Sequence, residues 1–414
     1  MFNWFGGTKV QYLGFAALSL GAVSAQAAFF DDAKGQLTLR NYYFERNFVG
    51  DSATQNRSAE WAQGGIFTYS SGYTDTTVGV ALETIAQGAF KLDGGRGTYG
   101  SNLLPTQDDK QSPDSYGRAG VALELKYGST ELKIGEQFMD IPMLHLDPAR
   151  LLLATYQGVT LTSKPIQPLD VFAGSLSQVS MRDSTNMQSL GAFGYAGVTS
   201  DRFDYYGLHY RLRNQKTLFK FWQSKLHDIY QQNYAAVEHN ETVGNWLVRG
   251  RAGVFWDREE GQGKLGDLNN KTFFTQLVVG TGPHTAFLGL QKLTGKTGWM
   301  SVAGSNASEL PNDMFNGGMF NARESSFQVR YDYNFRNFGL PGLTTMVRYG
   351  HGYGIETDKI HNGREWERDE ELSYKVQGGQ FKDLHIRLNH SSNRKNFATG
   401  FDQTRLIVAF PIDL

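Results

Sequence analysis

Over much of the chain, apolar and polar residues alternate one for one, and the C-terminal end shows it best. Leu384, Ile386 and Leu388 alternate with His385, Arg387 and Asn389, and the chain closes on Arg405-Leu-Ile-Val-Ala-Phe-Pro-Ile-Asp-Leu414. There Leu406, Val408, Phe410, Ile412 and Leu414 share one face, and Arg405 opens the other. Side chains that alternate in this way belong to a β-strand. A soluble sheet buries its apolar face under a second layer. A membrane barrel turns that face to lipid and keeps charge in a watery lumen.

The same alternation recurs at residues 36–46, 60–69, 77–90, 120–127 and 130–135, and again from 156–163 through 343–352 to 371–378. Strand-like runs number eighteen along the chain, and single-chain bacterial barrels have even strand counts. Tight polar turns such as 70–75 alternate with long Gly-, Pro- and Asp-rich connections such as 93–116, which suits a barrel with short turns at one end and long loops at the other. The pattern predicts an all-β fold: a single transmembrane antiparallel β-barrel of about 18 strands, with short periplasmic turns and long extracellular loops. One connection breaks the rule. Residues 138–156 lack a strand period yet carry Ile141, Met143, Leu144, Leu146, Leu151, Leu152 and Leu153. Standing in solvent they would form a large apolar patch. The segment is therefore expected to fold into the lumen, with Asp140, Asp147 and Arg150 at the narrow point.

Residues 1–27 read as a signal peptide. Lys9 is the only charge ahead of an apolar run reaching Val23, and Ala25-Gln-Ala27 fits a small-residue cleavage site. Residues 28–414 are then expected to be one outer-membrane barrel channel. No later run of about 18 apolar residues could span as a helix, so a closed barrel is the remaining way through a bilayer. Composition agrees with this. Glycine, at 48 of 414 residues, exceeds the usual ~7% and fits many turns. A net charge of −1 argues against nucleic acid as a partner. The absence of cysteine fits export to a compartment where stray thiols pair.

Sorted by face, the strands show a second regularity. Opposite the apolar residues stand Arg40, Lys126, Lys133, Arg211, Lys220, Arg249, Arg251, Arg330, Lys375, Arg387 and Arg405, with fewer acids, among them Glu124, Glu131, Asp332 and Glu371. A cation facing the bilayer midplane costs ~2–4 kcal/mol, so these belong in a lumen, and a basic-lined lumen attracts anions. Asp332 beside Arg330 and Glu124 beside Lys126 are expected to set opposite charges across a narrow passage. Catalytic chemistry finds no support. His385 and His390, with Ser391 and Ser392 nearby, are the closest approach to a hydrolase cluster, but five residues apart the two histidines point to opposite faces of one strand. No histidine spacing fits a metal, and no cofactor is implied.

The residues also resemble the OprD family of outer-membrane carboxylate channels. The matching stretches, in order, are Leu39-Arg-Asn-Tyr-Tyr-Phe44, Glu60-Trp-Ala-Gln63, Phe90-Lys-Leu-Asp-Gly-Gly-Arg-Gly97, Arg150-Leu-Leu152 and Met181-Arg-Asp-Ser184. They continue with Phe320-Asn-Ala-Arg-Glu324, Val329-Arg-Tyr-Asp-Tyr333, Gly339-Leu-Pro-Gly-Leu343, Asn396-Phe-Ala398 and Arg405-Leu-Ile-Val408. The resemblance implies an eighteen-stranded barrel in the bacterial outer membrane, narrowed by infolded loops, with an arginine ladder that guides a substrate carboxylate. Arg387 and Arg405 match the ladder on the last two strands. Arg40, Arg150 and Arg330 match basic positions elsewhere, and Lys375 matches less well. The implied partners are small carboxylate solutes, amino acids or aromatic acids, and outer-membrane lipid, with the protein a monomer or a loose homotrimer. Two departures stand out: Leu153 where the constriction loop normally has proline, and Leu414 where the C-terminus is commonly aromatic. The alternative readings are an outer-membrane barrel enzyme of the lipase type and a plugged structural barrel.

Overall fold

The computed structural model describes residues 29–50 and 53–414, so the signal-peptide reading lies outside the described residues. Twenty strands follow one another: β1 (Lys34–Val49), β2 (Arg57–Ser70), β3 (Gly79–Asp93), β4 (Ser115–Tyr127), β5 (Thr130–Gln137), β6 (Thr155–Ile166), β7 (Leu169–Ser180), β8 (Met187–Gly191), β9 (Thr199–Ser200) and β10 (Phe203–Arg211). Then come β11 (Thr217–Leu226), β12 (Tyr230–Val243), β13 (Trp246–Glu259), β14 (Asn269–Thr281), β15 (His284–Gly295), β16 (Ser325–Asn334), β17 (Leu343–Ile355), β18 (Gly363–Lys375), β19 (His385–Lys395) and β20 (Gly400–Asp413). The short β8 and β9 pair within the loop that leaves β7, and β7 itself pairs with β10. The remaining 18 strands pair antiparallel, neighbour to neighbour. The ring closes where β1 pairs with β20, from Gln36↔Asp413 to Val49↔Gly400. The eighteen-stranded barrel expected from the alternation is what the chain forms.

The start of β1 and the end of β20 lie at the short-turn rim, where the Leu414 N–H donates to the Gly35 carbonyl at 2.9 Å. Connections at that rim include 128–129, 167–168 and 282–283, while the opposite rim carries 94–114, 138–154, 181–202 and 296–324. Outward positions are apolar and open, as with Val121, Leu288, Leu372 and Leu406. Lumen positions alternate with them and are mostly polar or aromatic, with aliphatic residues such as Ile66 and Ile407 where loops pack. One strand begins earlier than its sequence suggests. β18 starts at Gly363 rather than 371, because its first half is charged on both faces and shows no apolar–polar contrast. Inward Glu365, Glu367 and Asp369 are buried, while outward Arg364, Arg368 and Glu370 are exposed.

The long loops turn inward. Met139, Ile141, Met143 and Leu144 join Leu190, Trp299, Met300, Val302 and Leu310 against aromatic wall residues Tyr156, Tyr205, Trp222, Tyr234, Phe255 and Phe274. This apolar fill covers the wall from β6 to β15. A second cluster sets Leu103, Leu104, Leu151 and Leu152 against Tyr42, Phe44, Ala62, Ile66 and Ile407, on β1, β2 and β20. The approach is close enough to need glycine. A Cβ at Gly64 would stand 2.9 Å from the Leu151 side chain, so the loop lies directly on bare strand backbone. The 138–154 segment is thus packed in the lumen, as its composition requires.

Candidate functional site

Between the two packed clusters lies a cavity of about 580 Å³. Eight arginines line it: Arg46 on β1, Arg150 and Arg182 on infolded loops, Arg251 on β13, Arg330 on β16, Arg348 on β17, Arg387 on β19 and Arg405 on β20. The lining carboxylates are Asp147 and Asp313, and Phe287, Trp299, Phe315 and Phe320 add apolar surface.

The arginines divide by partner. Arg330 bonds Asp332 through Nε (2.9 Å) and Nη2 (2.6 Å), Arg348 Nε meets Asp369 at 2.7 Å, Arg251 Nη1 meets Glu309 at 3.1 Å, and Arg182 pairs with Asp147. A carboxylate discharges each of these. The second group is held by neutral oxygens. Arg405 Nη2 donates to the Phe315 carbonyl (3.0 Å) and Asn316 Oδ1 (2.8 Å). Arg46 donates to Gln403 Oε1 at 2.9 and 2.7 Å, Arg150 to the carbonyls of Ser101 (3.0 Å) and Ala149 (2.8 Å), and Arg40 to that of Pro148 (2.9 Å). The Arg387 side chain makes no hydrogen bond among the described residues, and the buried Nε atoms of Arg387 and Arg405 are unpartnered. Arg40, Arg46, Arg150, Arg387 and Arg405 therefore keep their charge while four of them are fixed in place. All five sit on β19, β20, β1 and the loop pressed against them.

Across the cavity a different network joins two loops. Glu309 of the 296–324 loop accepts from the Tyr234 hydroxyl and pairs with His145 Nε2 (3.2 Å), Arg251 (3.1 Å) and Lys220 (3.5 Å). His145 Nδ1 meets Asp140 Oδ1 at 2.8 Å. Burial alone would favour a neutral Glu309, but His145, Arg251 and Lys220 outweigh it and hold this carboxyl well below the usual range. Burial would likewise lower the His145 imidazole, but its hydrogen bonds to Asp140 and Glu309 win and push it up to about 9. His145 is charged at neutral pH and ties the 138–154 loop to the 296–324 loop.

The residues singled out from sequence are sorted by these contacts. Arg387, Arg405, Arg150 and Arg330 line the cavity. Arg40 is buried behind it, 6% exposed, bracing the constriction loop. Lys375 lies away from it at the short-turn rim, paired with Asp383 at 2.8 Å. Asp332 and Glu124 do not face cations across a passage. Asp332 neutralises Arg330 along its own strand, and Glu124 meets Lys133 on the next strand at 2.8 Å. The Leu153 departure has a structural reason, because the Leu153 N–H, which a proline lacks, donates to Gln87 Oε1 at 2.9 Å. The hydrolase reading gains nothing. His390 contacts Thr404, and His385 contacts Ser373 at 2.5 Å, but among the described residues no carboxylate hydrogen-bonds the His385 ring.

Several site residues escaped the sequence reading. Arg46 shares the inward face of β1 with Arg40, six residues away, and sorting the 36–46 run by face as far as its last residue would have found it. Asn316, Phe315 and Glu309 lie in 296–324. The Trp, Met and Leu content of that loop carries the same signal that marked 138–156.

An edge-free, even-stranded barrel with an apolar outer surface and a loop-narrowed polar lumen is an outer-membrane channel. The chain belongs to the OprD family: the family described as outer membrane porin, OprD family, matches residues 27–414. The chain is similar to the porin-like protein GalP of Pseudomonas putida, 40% identical over 400 residues that cover 96% of each chain. It is also similar to OpdK of Pseudomonas aeruginosa solved with vanillate (45% identity, TM-score 0.89, 93% of this chain and 100% of that one). OpdF of the same organism, solved with glucuronate, is 38% identical with a TM-score of 0.86 and covers 94% of this chain and 100% of its own. Its relatives are channel proteins of the bacterial outer membrane rather than enzymes.

Proposed function

We propose that this porin is selective for small carboxylate-bearing nutrients, which diffuse through it along Arg387, Arg405, Arg46 and Arg150 without cofactor or energy input. The observation that carries this reading is the set of five arginines without a carboxylate partner on one wall. A neutral oxygen fixes a guanidinium without cancelling its charge. Each guanidinium can take a solute carboxylate through a charge-assisted bond, bidentate where the geometry allows. Several sites of this kind in a row suit conduction better than one deep site. Arg387, with no internal bond, is the most open of them.

Monoanionic hydroxylated acids fit better than amino acids. An ammonium group needs a free carboxylate, and among the described residues the two that line the cavity are poor candidates. Asp147 is bound to Arg182, and burial pushes Asp313 up to about 7 despite the nearby Arg348. The similar channels OpdK and OpdF were solved with vanillate and glucuronate, which are acids of this kind.

Liposome swelling tests the reading. Arg387→Ala with Arg405→Ala should slow vanillate entry roughly 10- to 100-fold, from about 1.5–3 kcal/mol per charge-assisted bond. Entry of a neutral pentose should change little. The vanillate effect should shrink as salt rises, because the Debye length falls from ~10 Å at 0.1 M to ~3 Å at 1 M. Equal slowing of both solutes would mean that the arginines only shape the pore.

A further inference from the structure

The 296–324 loop reaches the arginine wall at Phe315 and Asn316, and the Asn316 side chain makes the hydrogen bonds that join it there to two arginines. Its Nδ2 donates to Glu367 Oε1 (3.0 Å) and Ser391 Oγ (2.8 Å), and its Oδ1 accepts from Nη2 of Arg405 (2.8 Å) and Nη2 of Arg46 (3.2 Å). Acceptors on one side and guanidinium donors on the other fix which way the amide points. One uncharged oxygen therefore bridges two uncompensated arginines, in the position that an oxygen of a solute carboxylate would take. The loop backbone is pinned separately. The Phe315 N–H donates to Asp369 Oδ2 (3.0 Å) and the Asn316 N–H to Glu367 Oε1 (2.9 Å), and the Phe315 ring lies 4.6 Å from Arg348 and 5.4 Å from Arg405. The inward acids of β18 thus anchor the loop tip and leave Arg46 and Arg405 charged.

We propose that Asn316 is a tethered stand-in for the solute carboxylate and sets which solutes the arginine wall accepts. In the empty channel it holds Arg46 and Arg405 in a receptive geometry. A permeating carboxylate displaces the amide oxygen, and the side chain swings away while the pinned backbone stays. The guanidinium donor is ionised in either case, but a carboxylate brings a full opposite charge to the bond, whereas an amide, hydroxyl or carbonyl oxygen brings only a dipole. A carboxylate therefore outcompetes the amide, and a hydroxyl or carbonyl does not. The inference rests on the carboxylate reading above and adds a residue that acts by competition. A side-chain rotation suffices, which is fast compared with loop opening.

Two variants should move the channel in opposite directions. In single-channel recording with vanillate as the probe, Asn316→Ala removes the competitor and should lengthen vanillate-induced current blockades severalfold. Asn316→Asp, made together with Glu367→Gln so that the second contact keeps a donor and an acceptor, places a fixed carboxylate on the two arginines. It should shorten or abolish the blockades and slow vanillate uptake about tenfold, with pentose uptake within about twofold of the parent. A purely structural role would shift both variants the same way, and that result overturns the proposal. Blockades unchanged in Asn316→Ala overturn it even if the double variant does not fold. A parent channel that passes vanillate and pentose alike defeats the carboxylate reading and this inference together. A selective parent with unresponsive variants defeats this inference alone.

Discussion

The two sides of the lumen use the same residue types to opposite ends. From β6 to β15 the wall is hidden under aromatic rings and infolded loops, and the cations that meet those loops, Lys220 and Arg251, are paired with carboxylates. Lys220 pairs with Glu238 at 2.7 Å and with Glu309, Arg251 pairs with Glu309, and Lys133, beside this wall on β5, lies between Glu83 and Glu124. On β20 and β1, Arg405, Arg46 and Arg40 rest on carbonyl and amide oxygens, and the Arg387 side chain on β19 has no hydrogen-bond partner among the described residues. On the first side, paired charge holds loops in place. On the second, charge is held without a carboxylate partner. Counting basic residues on the inward face cannot separate these roles, because the partner decides the role.

The largest expected effect comes from destroying the filled side's hold on the lumen. Deleting residues 141–152 removes Met143, Leu144, Leu151 and Leu152 together with their packing. Conductance in planar bilayers should rise severalfold and anion preference should weaken. Unchanged conductance would mean that the segment does not set the narrow point.

A smaller effect should follow from pH. His145 is raised from its ordinary value of 6.5 to about 9, so the link it makes to Asp140 and Glu309 is fully present below pH ~6.5 and is lost as pH rises through about 9. Current noise from loop motion should grow between pH 8 and 10 and then level off. In His145→Gln the noise should be constant across that range, and a variant that keeps the parent's pH profile would rule out this histidine as the cause.

The smallest effect sharpens the contrast itself. Arg330→Ala removes an arginine whose charge Asp332 already cancels, in a half-exposed pair worth ~0–1 kcal/mol. Vanillate uptake should fall by no more than about fivefold, far less than for loss of Arg387 and Arg405. Equal losses at Arg330 and Arg387 would erase the distinction between discharged and free arginines.

The fold was legible because lipid outside and water inside impose one contrast on every strand. The strand count, the rim of short turns and the inward fold of 138–154 all follow from it. It fails where both environments are polar. The first half of β18 has Glu365, Glu367 and Asp369 inward and Arg364, Arg368 and Glu370 outward, so no period shows. The site was legible only as a set of inward cations. That Lys375 belongs to Asp383 and Arg330 to Asp332, or that Asn316 crosses the lumen to Arg405, depends on contacts between residues distant in the chain or rotamers along one strand. Alternation carries neither.

The closure between β1 and β20 also bears on how the channel is made. Arg40 and Arg46 come from the first strand, while Arg387 and Arg405 come from the last two, so residues at opposite ends of the chain meet only when Gln36 through Val49 registers with Asp413 through Gly400. Contacts of such long sequence separation form late. A growing sheet, or one inserted but still open along this line, has the filled wall without the opposing arginines. The arginine wall is therefore completed only in the final step of assembly, when the last strand finds the first.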